Sequence, residues 1–339
     1  MGKSSAAHRH RCFGVLLAGA LTLLGLSGCA EVLSLQPKGL AAERIADLWW
    51  FQFFLALPFF LAVVILLLLA IRRHSRGGDV RQRNHGMKMI VWGGAILPAL
   101  AMLALMSHTI YTLVAVTEPA QHAELSVEVQ GKMWWWKIGY SNGEETIFTA
   151  NEIHIPAGEP VALELSSDNV IHSFWVPELN GKRDLIPGIP EGFWIQADQP
   201  GTYHGQCAEF CGAQHAKMHF LVIAHEREEF LEWLELERQP ARVLVEGDEN
   251  FRGQQAFLEA ACVSCHTIRG TIASGMIGPD LTHMGSRREL AAGTLSNVTG
   301  NLAAWIVDSQ QFKPGNLMPP MPLPPQDLLG VIDYLQSLR

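Results

Sequence analysis

One short segment, residues 207–218, carries four side chains of the kinds that bind metal ions. They follow the spacing C-x3-C-x3-H-x2-M and are Cys207, Cys211, His215 and Met218. Two thiolates, an imidazole and a thioether form a soft ligand set, which selects copper over hard cations. A mononuclear copper site needs only one cysteine, whereas a second cysteine allows two thiolates to bridge two coppers. The segment therefore has to be held on a rigid scaffold, and its chemistry indicates electron transfer.

A binuclear site needs a further imidazole, and His172 supplies one from an earlier predicted strand. The stretch from His172 to Met218 resembles the binuclear copper domain (copper A) of cytochrome c oxidase subunit II. The resemblance implies that Cys207 and Cys211 bridge the two coppers and that His172 and His215 each bind one copper. In the same way, Met218 would be a weak axial ligand, and Glu209 would bind through its backbone carbonyl. It also implies that the Glu209 carboxylate reaches a magnesium ion at the boundary with subunit I. The alternative for the two cysteines is a disulfide.

Residues 262–266 read C-V-S-C-H, the signature of covalent haem c attachment. On this interpretation Cys262 and Cys265 bind the haem vinyl groups, and His266 is the proximal iron ligand. The alternatives are a redox dithiol or half of a zinc site. Zinc would need a second pair of ligands at matching spacing, and no further cysteine follows.

A distal methionine ligand raises the potential of a c-type haem, and the candidates are Met276, Met284, Met318 and Met321. We favour Met318, because the prolines around it keep its loop from becoming helical; Met321 is the second choice. Residues 246–339 resemble the cytochrome c domain fused to subunit II in caa3-type oxidases. The resemblance implies an all-α class I cytochrome c fold, with the distal methionine in a similar Lys-Pro-Gly…Met-Pro stretch.

Two apolar runs, residues 49–71 and 89–116, each reach the roughly 20 residues that a membrane-spanning helix needs. The segment between them is basic, and basic loops stay in the cytoplasm. Residues 29–117 are therefore predicted to form a two-helix hairpin in a bacterial cytoplasmic membrane, with the copper and haem domains on the periplasmic side. The family that this chain resembles often carries a glutamate early in the second membrane-spanning helix, and this chain has Val91 at that position.

Residues 1–28 are predicted to be an export signal, because basic residues precede an apolar run over 13–26. The signal ends in Leu26-Ser27-Gly28-Cys29, which resembles a bacterial lipoprotein cleavage site. Cleavage would leave Cys29 at the new N-terminus as the lipidation site. The alternative is an uncleaved anchor in which Cys29 is incidental.

Residues 118–245 show short stretches of alternating apolar side chains separated by Gly, Pro and Asn, which predict β-strands. No helical pattern interrupts them before residues 227–237. Short strands with regularly spaced turns favour a Greek-key sandwich or barrel. This all-β domain matches the cupredoxin-like fold that the resemblance implies.

Residues 134–136 are three consecutive tryptophans, and they cannot all point to one face of a strand. In the resembling family the first aromatic residue of this segment receives electrons and passes them to copper, which assigns that role to Trp134. The alternative is that Trp134 and Trp136 are core residues and Trp135 packs at the rim. In a chain with its own haem, Trp134 would receive electrons from the fused haem domain.

Formal charge is uneven along the chain. Residues 1–116 carry +7 and residues 117–339 carry −15. An acidic exposed part argues against nucleic acid as a partner, since nucleic-acid binding requires a basic face. It suits docking of a basic redox protein, although solubility alone would also explain it.

Together these features predict a multidomain electron-input subunit of a caa3-type oxidase. The resemblance implies partners in subunit I, with haem a and haem a3–CuB, in subunit III, and in a soluble or membrane cytochrome c or another redox donor. One alternative is the copper subunit of a different terminal reductase, such as a nitric oxide reductase. Another is a copper carrier for oxidase assembly, which the haem signature argues against. The quinol oxidase branch has lost the copper ligands.

Overall fold

The computed structural model describes residues 35–74, 83–117, 123–141 and 146–339. The predicted signal segment and Cys29 lie outside this range. Helix α1 spans Leu40–His74, and a second long helix consists of α2 (Arg83–Val91), a π-helical turn (Trp92–Ile96) and α3 (Leu97–Thr117). Both are long and apolar enough to cross a membrane, over Leu40–Arg72 and Gly86–Thr117. The two apolar helices predicted from the sequence are confirmed.

Both ends of this helical pair are attached to the β domain that follows. Near the start of α1, the Lys38 amide donates to the carbonyl of Glu178 at 2.8 Å. At the end of α3, the Trp194 indole donates to the carbonyl of Val116 at 2.9 Å. A Cβ on Gly39 would lie 2.0 Å from the backbone oxygen of Gln196, so the chain approaches the domain too closely for any side chain. The domain is thus held close to the helix ends.

Residues 125–225 form the predicted cupredoxin-like sandwich of two five-stranded sheets. The strands are β1 Leu125–Lys132, β2 Trp135–Ser141, β3 Thr146–Ala150, β4 Glu152–Pro156, β5 Val161–Ser167, β6 His172–Trp175, β7 Arg183–Leu185, β8 Glu191–Ile195, β9 Gly201–Cys207 and β10 His219–His225. One sheet has the order β3-β2-β1-β5-β8 and the other β4-β10-β9-β6-β7. Neighbouring strands are antiparallel except β1 with β5 and β4 with β10.

The alternating apolar residues seen in the sequence fill the space between the two sheets. Val127 and Val129 of β1 and Leu163 and Leu165 of β5 are at most 1% exposed, while the residues between them face outward. Each such side chain contributes about 1.5–3 kcal/mol when it is removed from water. This packing makes the sandwich a rigid support for the loops at its ends.

Helix α4 (Arg227–Arg238) closes the β domain, where Trp233 stacks on His154 with ring centroids 3.9 Å apart. The haem domain follows with α5 (Phe251–Glu259), α6 (Thr299–Val307) and α7 (Pro325–Ser337). Helix α4 covers residues 227–237, where the sequence shows a helical pattern, and the three later helices fit the all-α fold that the resemblance implies. A two-residue strand pair, β11 (Glu289–Leu290) with β12 (Leu295–Ser296), is too short to leave an alternating pattern and was not predicted.

Helices α5 and α7 cross at two glycines. A Cβ added to Gly253 would lie 2.0 Å from the carbonyl oxygen of Gly330, and a Cβ added to Gly330 would lie 3.2 Å from the Cα of Gly253. The backbones therefore touch directly, and Phe257 and Tyr334 pack beside the crossing with ring centroids 6.1 Å apart. This contact joins the helix before the C-x-x-C-H signature to the C-terminal helix.

Replacing Gly253 with Ala should force the two helices apart and destabilise the haem domain by about 1–3 kcal/mol, as overpacking does. The matched control is Gly300→Ala in α6, where an added Cβ meets nothing within 4 Å. The urea midpoint of the haem domain, followed by pulse proteolysis of the full chain, measures the difference. Equal midpoints for the two variants would contradict this description of the crossing.

Candidate functional site

The predicted copper ligands meet at one end of the sandwich. His172 begins β6 and Cys207 ends β9, and these strands are neighbours in one sheet. The chain then turns through Cys211 and a 3-10 helix that starts at His215, and it returns to β10 just after Met218. The sheet therefore supplies two ligand positions, and the loop between β9 and β10 supplies the others.

The distances between ligand atoms fit a shared metal centre. The Sγ atoms of Cys207 and Cys211 are 3.7 Å apart, and both cysteines are free. His172 Nδ1 lies 3.8 Å from Cys207 Sγ, and His215 Nδ1 lies 3.6 Å from Cys211 Sγ. Metal–sulfur bonds are about 2.3 Å, so atoms at these separations can bind the same ions. The disulfide considered from the sequence is absent between these described residues.

The remaining two copper candidates complete the cluster. Met218 Sδ is 3.8 Å from Cys211 Sγ, and Met218 is fully buried. The carbonyl oxygen of Glu209 faces Cys207 Sγ at 3.2 Å, while the Glu209 side chain is exposed. The backbone and carboxylate of Glu209 thus point to different surroundings, which allows the two separate roles implied by the family resemblance.

The two thiols interact strongly even without a metal ion. The contact with Cys211 lowers the pKa of Cys207, with a further contribution from His172. The same contact and burial raise the pKa of Cys211. One thiolate therefore forms readily, whereas two buried thiolates side by side need a cation to offset their repulsion.

Two residues that sequence analysis did not single out hold the His172 ring. Asn169 Oδ1 lies 3.1 Å from His172 Nε2, which leaves Nδ1 directed towards the cysteines. On the other side, a Cβ added to Gly131 would lie 2.8 Å from the ring carbon Cδ2 of His172. Such supporting contacts orient metal ligands, and no motif in the sequence marks them.

The haem candidates line an apolar cavity of about 310 Å³. Cys262, Cys265 and His266 lie on its wall together with Met318. His266 Nδ1 lies 2.8 Å from the carbonyl oxygen of Pro279, which leaves Nε2 available to bind iron. Burial lowers the pKa of His266, which favours the neutral imidazole that binds metals. The cavity and its donors therefore fit an attached haem.

Three of the four candidate distal methionines line this cavity: Met284, Met318 and Met321. Met276 does not line it and is 68% exposed. The backbone of Met318 is hydrogen-bonded on both sides. Its carbonyl accepts from Ser309 Oγ at 2.6 Å and from Gln310 Nε2 at 2.9 Å. Its own amide donates to Asn316 Oδ1 at 2.8 Å. Met318 as the distal ligand stays a prediction, with Met321 in the same cavity as the second choice.

Trp134 lies between the two centres. Its indole nitrogen donates to the carbonyl of Cys211 at 2.9 Å, and its side chain is only 8% exposed. It also lines the haem cavity, together with Met133 and Trp135. Trp136 is fully buried in the sandwich core, and Trp135 is half-buried. Trp134 thus contacts the copper loop on one side and the haem cavity on the other.

The haem domain docks beside Trp134 through the loop that leads to Met318. Lys313 Nζ donates to the carbonyl of Trp134 at 2.7 Å, and Gln214 Nε2 donates to the carbonyl of Pro314 at 2.7 Å. The sequence predicts that Trp134 faces the fused domain, but it does not reveal these two contacts, because contacts to backbone carbonyls do not require a recognisable side-chain partner. The buried Lys313 could have been suspected only from its place beside the predicted distal ligand.

Comparisons with known proteins agree with both halves of the site. Residues 145–225 match the family model of the periplasmic domain of cytochrome c oxidase subunit II, and residues 251–339 match that of cytochrome c. Cytochrome c oxidase subunit 2 of Alkalihalophilus pseudofirmus is 35% identical over 94% of each chain. Cytochrome c oxidase subunit 2 of Bacillus subtilis is 29% identical over 96% of this chain and 97% of its own.

Two further similarities cover less of the chain. Quinol oxidase subunit 2 of Bacillus cereus is 32% identical and covers 67% of this chain and 81% of its own length. Among solved structures, the periplasmic domain of subunit II of cytochrome oxidase from Bradyrhizobium japonicum is 29% identical, with a TM-score of 0.33. That structure covers 34% of this chain and 95% of its own.

Replacing Gly131 with Ala should push the His172 ring away from the cysteines and so weaken copper binding. We expect the affinity for copper to fall about tenfold, the smallest loss that is usual when a residue supporting a metal ligand is changed. Gly192→Ala in β8 is the matched control, because a Cβ there meets nothing within 4 Å. Copper retained per chain after competition with a chelator measures the effect. Equal retention by both variants would show that Gly131 does not position His172.

Proposed function

This chain belongs to the cytochrome c oxidase subunit II family and carries a fused cytochrome c domain, and from that premise we propose that it is the electron-input subunit of a caa3-type oxidase. When bound, haem c and binuclear copper would supply the one-electron steps that link an external donor to the haem of subunit I, where oxygen is reduced. The observation that carries the proposal is the position of Trp134, between the haem cavity and the carbonyl of Cys211.

The copper ligands we propose are the residues gathered at the end of the sandwich: His172, Cys207, Glu209 (by its carbonyl), Cys211, His215 and Met218. Cys207 and Cys211 would bridge two copper ions, and their burial at 5% and 3% exposure keeps water from the thiolates. Because the paired strands β9 and β10 of one sheet fix the ends of this loop, the ligands can remain in place when the charge of the centre changes. Small reorganisation of this kind favours fast electron transfer.

On the haem side, Cys262 and Cys265 would hold the haem covalently, with His266 and Met318 as axial ligands. The Pro279 carbonyl orients the His266 ring, and Ser309 and Gln310 hold the backbone of Met318. A methionine ligand gives a high potential, which suits a centre that accepts electrons from a cytochrome c or another donor.

The proposed setting is the bacterial cytoplasmic membrane, with α1 and the second long helix (α2, the π-helical turn and α3) spanning it and both redox domains on the periplasmic side. Subunits I and III would pack beside the helices. The exposed Glu209 carboxylate, next to the copper loop, would bind magnesium at the boundary with subunit I. Two relatives named cytochrome c oxidase subunit 2 are similar to this chain over nearly their whole length. This similarity favours the proposed function over that of a nitric oxide reductase subunit or a copper carrier.

Replacing Cys211 with Ser should abolish the EPR signal of an electron shared by two coppers, because one bridging thiolate is lost. The c-type haem spectrum should remain, since Cys262 and Cys265 lie in the other domain. The test uses the full chain, purified with copper and haem, and Cys211→Ser is compared with the unaltered chain. Survival of the shared-electron signal would remove Cys211 as a bridging ligand.

Replacing Met318 with Leu should lower the haem reduction potential, because the thioether ligand that favours the reduced iron is removed. Met321→Leu is the matched control, since Met321 also lines the cavity but is our second choice. Redox titration of the haem absorbance in each variant gives the potentials. A fall with Met321→Leu and none with Met318→Leu would reassign the distal ligand to Met321.

A further inference from the structure

We propose that Lys313 is a positioning residue, whose buried ammonium latches the haem domain onto the copper-ligand loop and so fixes the geometry for electron transfer between the two centres. The latch itself is a contact between two parts of the chain. Its effect on electron transfer rests on the proposed function, so the two halves of the inference are tested separately.

The ammonium of Lys313 is enclosed by carbonyl oxygens from both domains. Its Nζ donates to Trp134 at 2.7 Å and to Lys217 at 2.8 Å in the copper domain, and to Ala291 at 3.0 Å in the haem domain. A lysine ammonium has three N–H donors, and these acceptors use all of them. Lys313 is only 3% exposed, so water cannot replace any of the three.

Burying a charge is costly unless every donor is paired. Burial, and then the neighbouring Lys217 ammonium, lower the pKa of Lys313 to about 7. A neutral amine has only two N–H donors and would leave one carbonyl without a partner. The three acceptors therefore match the three donors of a protonated lysine, and because they come from both domains this contact opposes small sliding of one domain on the other.

Further contacts connect the same two loops. Gln214, which is 6% exposed, donates from Nε2 to the carbonyl of Pro314 at 2.7 Å. In return, Lys217 Nζ donates to the carbonyl of Phe312. One loop carries the copper candidate His215 directly after Gln214, and the other leads from Lys313 to the haem candidate Met318. The latch thus joins the two ligand-bearing loops themselves.

Lys313 is also the only lysine that follows Lys217 in the sequence, so the haem domain has a single lysine and it is buried. Counted from residue 246, this domain carries −3, and residues 118–245 carry −12. Two acidic domains repel each other weakly, and a covalent tether raises their effective concentration without choosing an orientation. A specific buried contact is what selects one docked orientation.

The first test is amine acetylation of the full chain in its purified oxidase complex, with peptide mapping. Lys182, exposed on the copper domain, is the internal reference. We expect Lys313 to be acetylated at least about tenfold more slowly than Lys182, because reaction requires the interface to open. Equal rates would overturn the latch, whether or not the chain binds copper and haem.

The second test compares Lys313→Met with Lys182→Met in the same complex. Removing the buried, charge-assisted hydrogen bonds should lower the docked fraction and therefore slow haem-to-copper electron transfer about tenfold or more. The reduction potentials and the copper and haem spectra should not change, which separates positioning from damage to either centre. Lys182→Met should transfer electrons at the unaltered rate.

The outcomes separate this inference from the proposed function. If Lys313 is protected but Lys313→Met transfers electrons as fast as the unaltered chain, the positioning role is wrong. If the potentials or spectra change in Lys313→Met, the residue supports a centre rather than the docking, which also overturns it. If the unaltered chain holds no copper or no haem, the proposed function is wrong and the acetylation result still decides the latch.

Discussion

The pairing of β6 with β9 is the contact on which the copper site depends. Phe174 lies opposite Cys207 in this ladder, and the Ala208 amide donates to the carbonyl of Ser173 at 2.9 Å. This register places His172 and Cys207 at the same end of one sheet. A shift by one residue would turn His172 to the other face of the sheet. The packed sandwich core, which fixes the register, therefore also fixes the relative positions of the predicted metal ligands.

The second constraint is that the haem domain shares a wall with the copper domain. Met133, Trp134 and Trp135 complete a cavity whose other residues come mainly from the haem domain. Trp134 lies in this wall and is only 8% exposed. The three carbonyls around Lys313, which come from both domains, show how closely the two loops fit.

Much of this arrangement is predictable from the sequence, for physical reasons. The alternation through Val127 and Val129 predicts a half-buried strand, and the soft ligand set at 207–218 predicts copper, because both patterns are local. The C-x-x-C-H signature likewise predicts haem attachment, and the zinc alternative is weakened because no further cysteine follows it. These predictions concern residues whose type alone carries the information.

The contacts that orient the ligands were not predictable in the same way. Gly131 and Asn169 support His172 through close approach and a single side-chain oxygen, and each depends on the register of distant strands. In the sequence, Lys313 is only part of the loop that leads to Met318. Its acceptors are backbone carbonyls 179, 96 and 22 residues away along the chain, so no nearby residue indicates its role. Tertiary contacts of this kind leave no pattern in one sequence.

The central claim is that electrons pass from haem to copper inside one chain. The most direct measurement is rapid photoreduction of the haem in the full chain, followed by the absorbance of both centres at several protein concentrations. We expect the haem to be reoxidised and the copper to be reduced with one shared first-order rate that does not depend on protein concentration. A rate proportional to protein concentration, or a haem that stays reduced while copper stays oxidised, would contradict it.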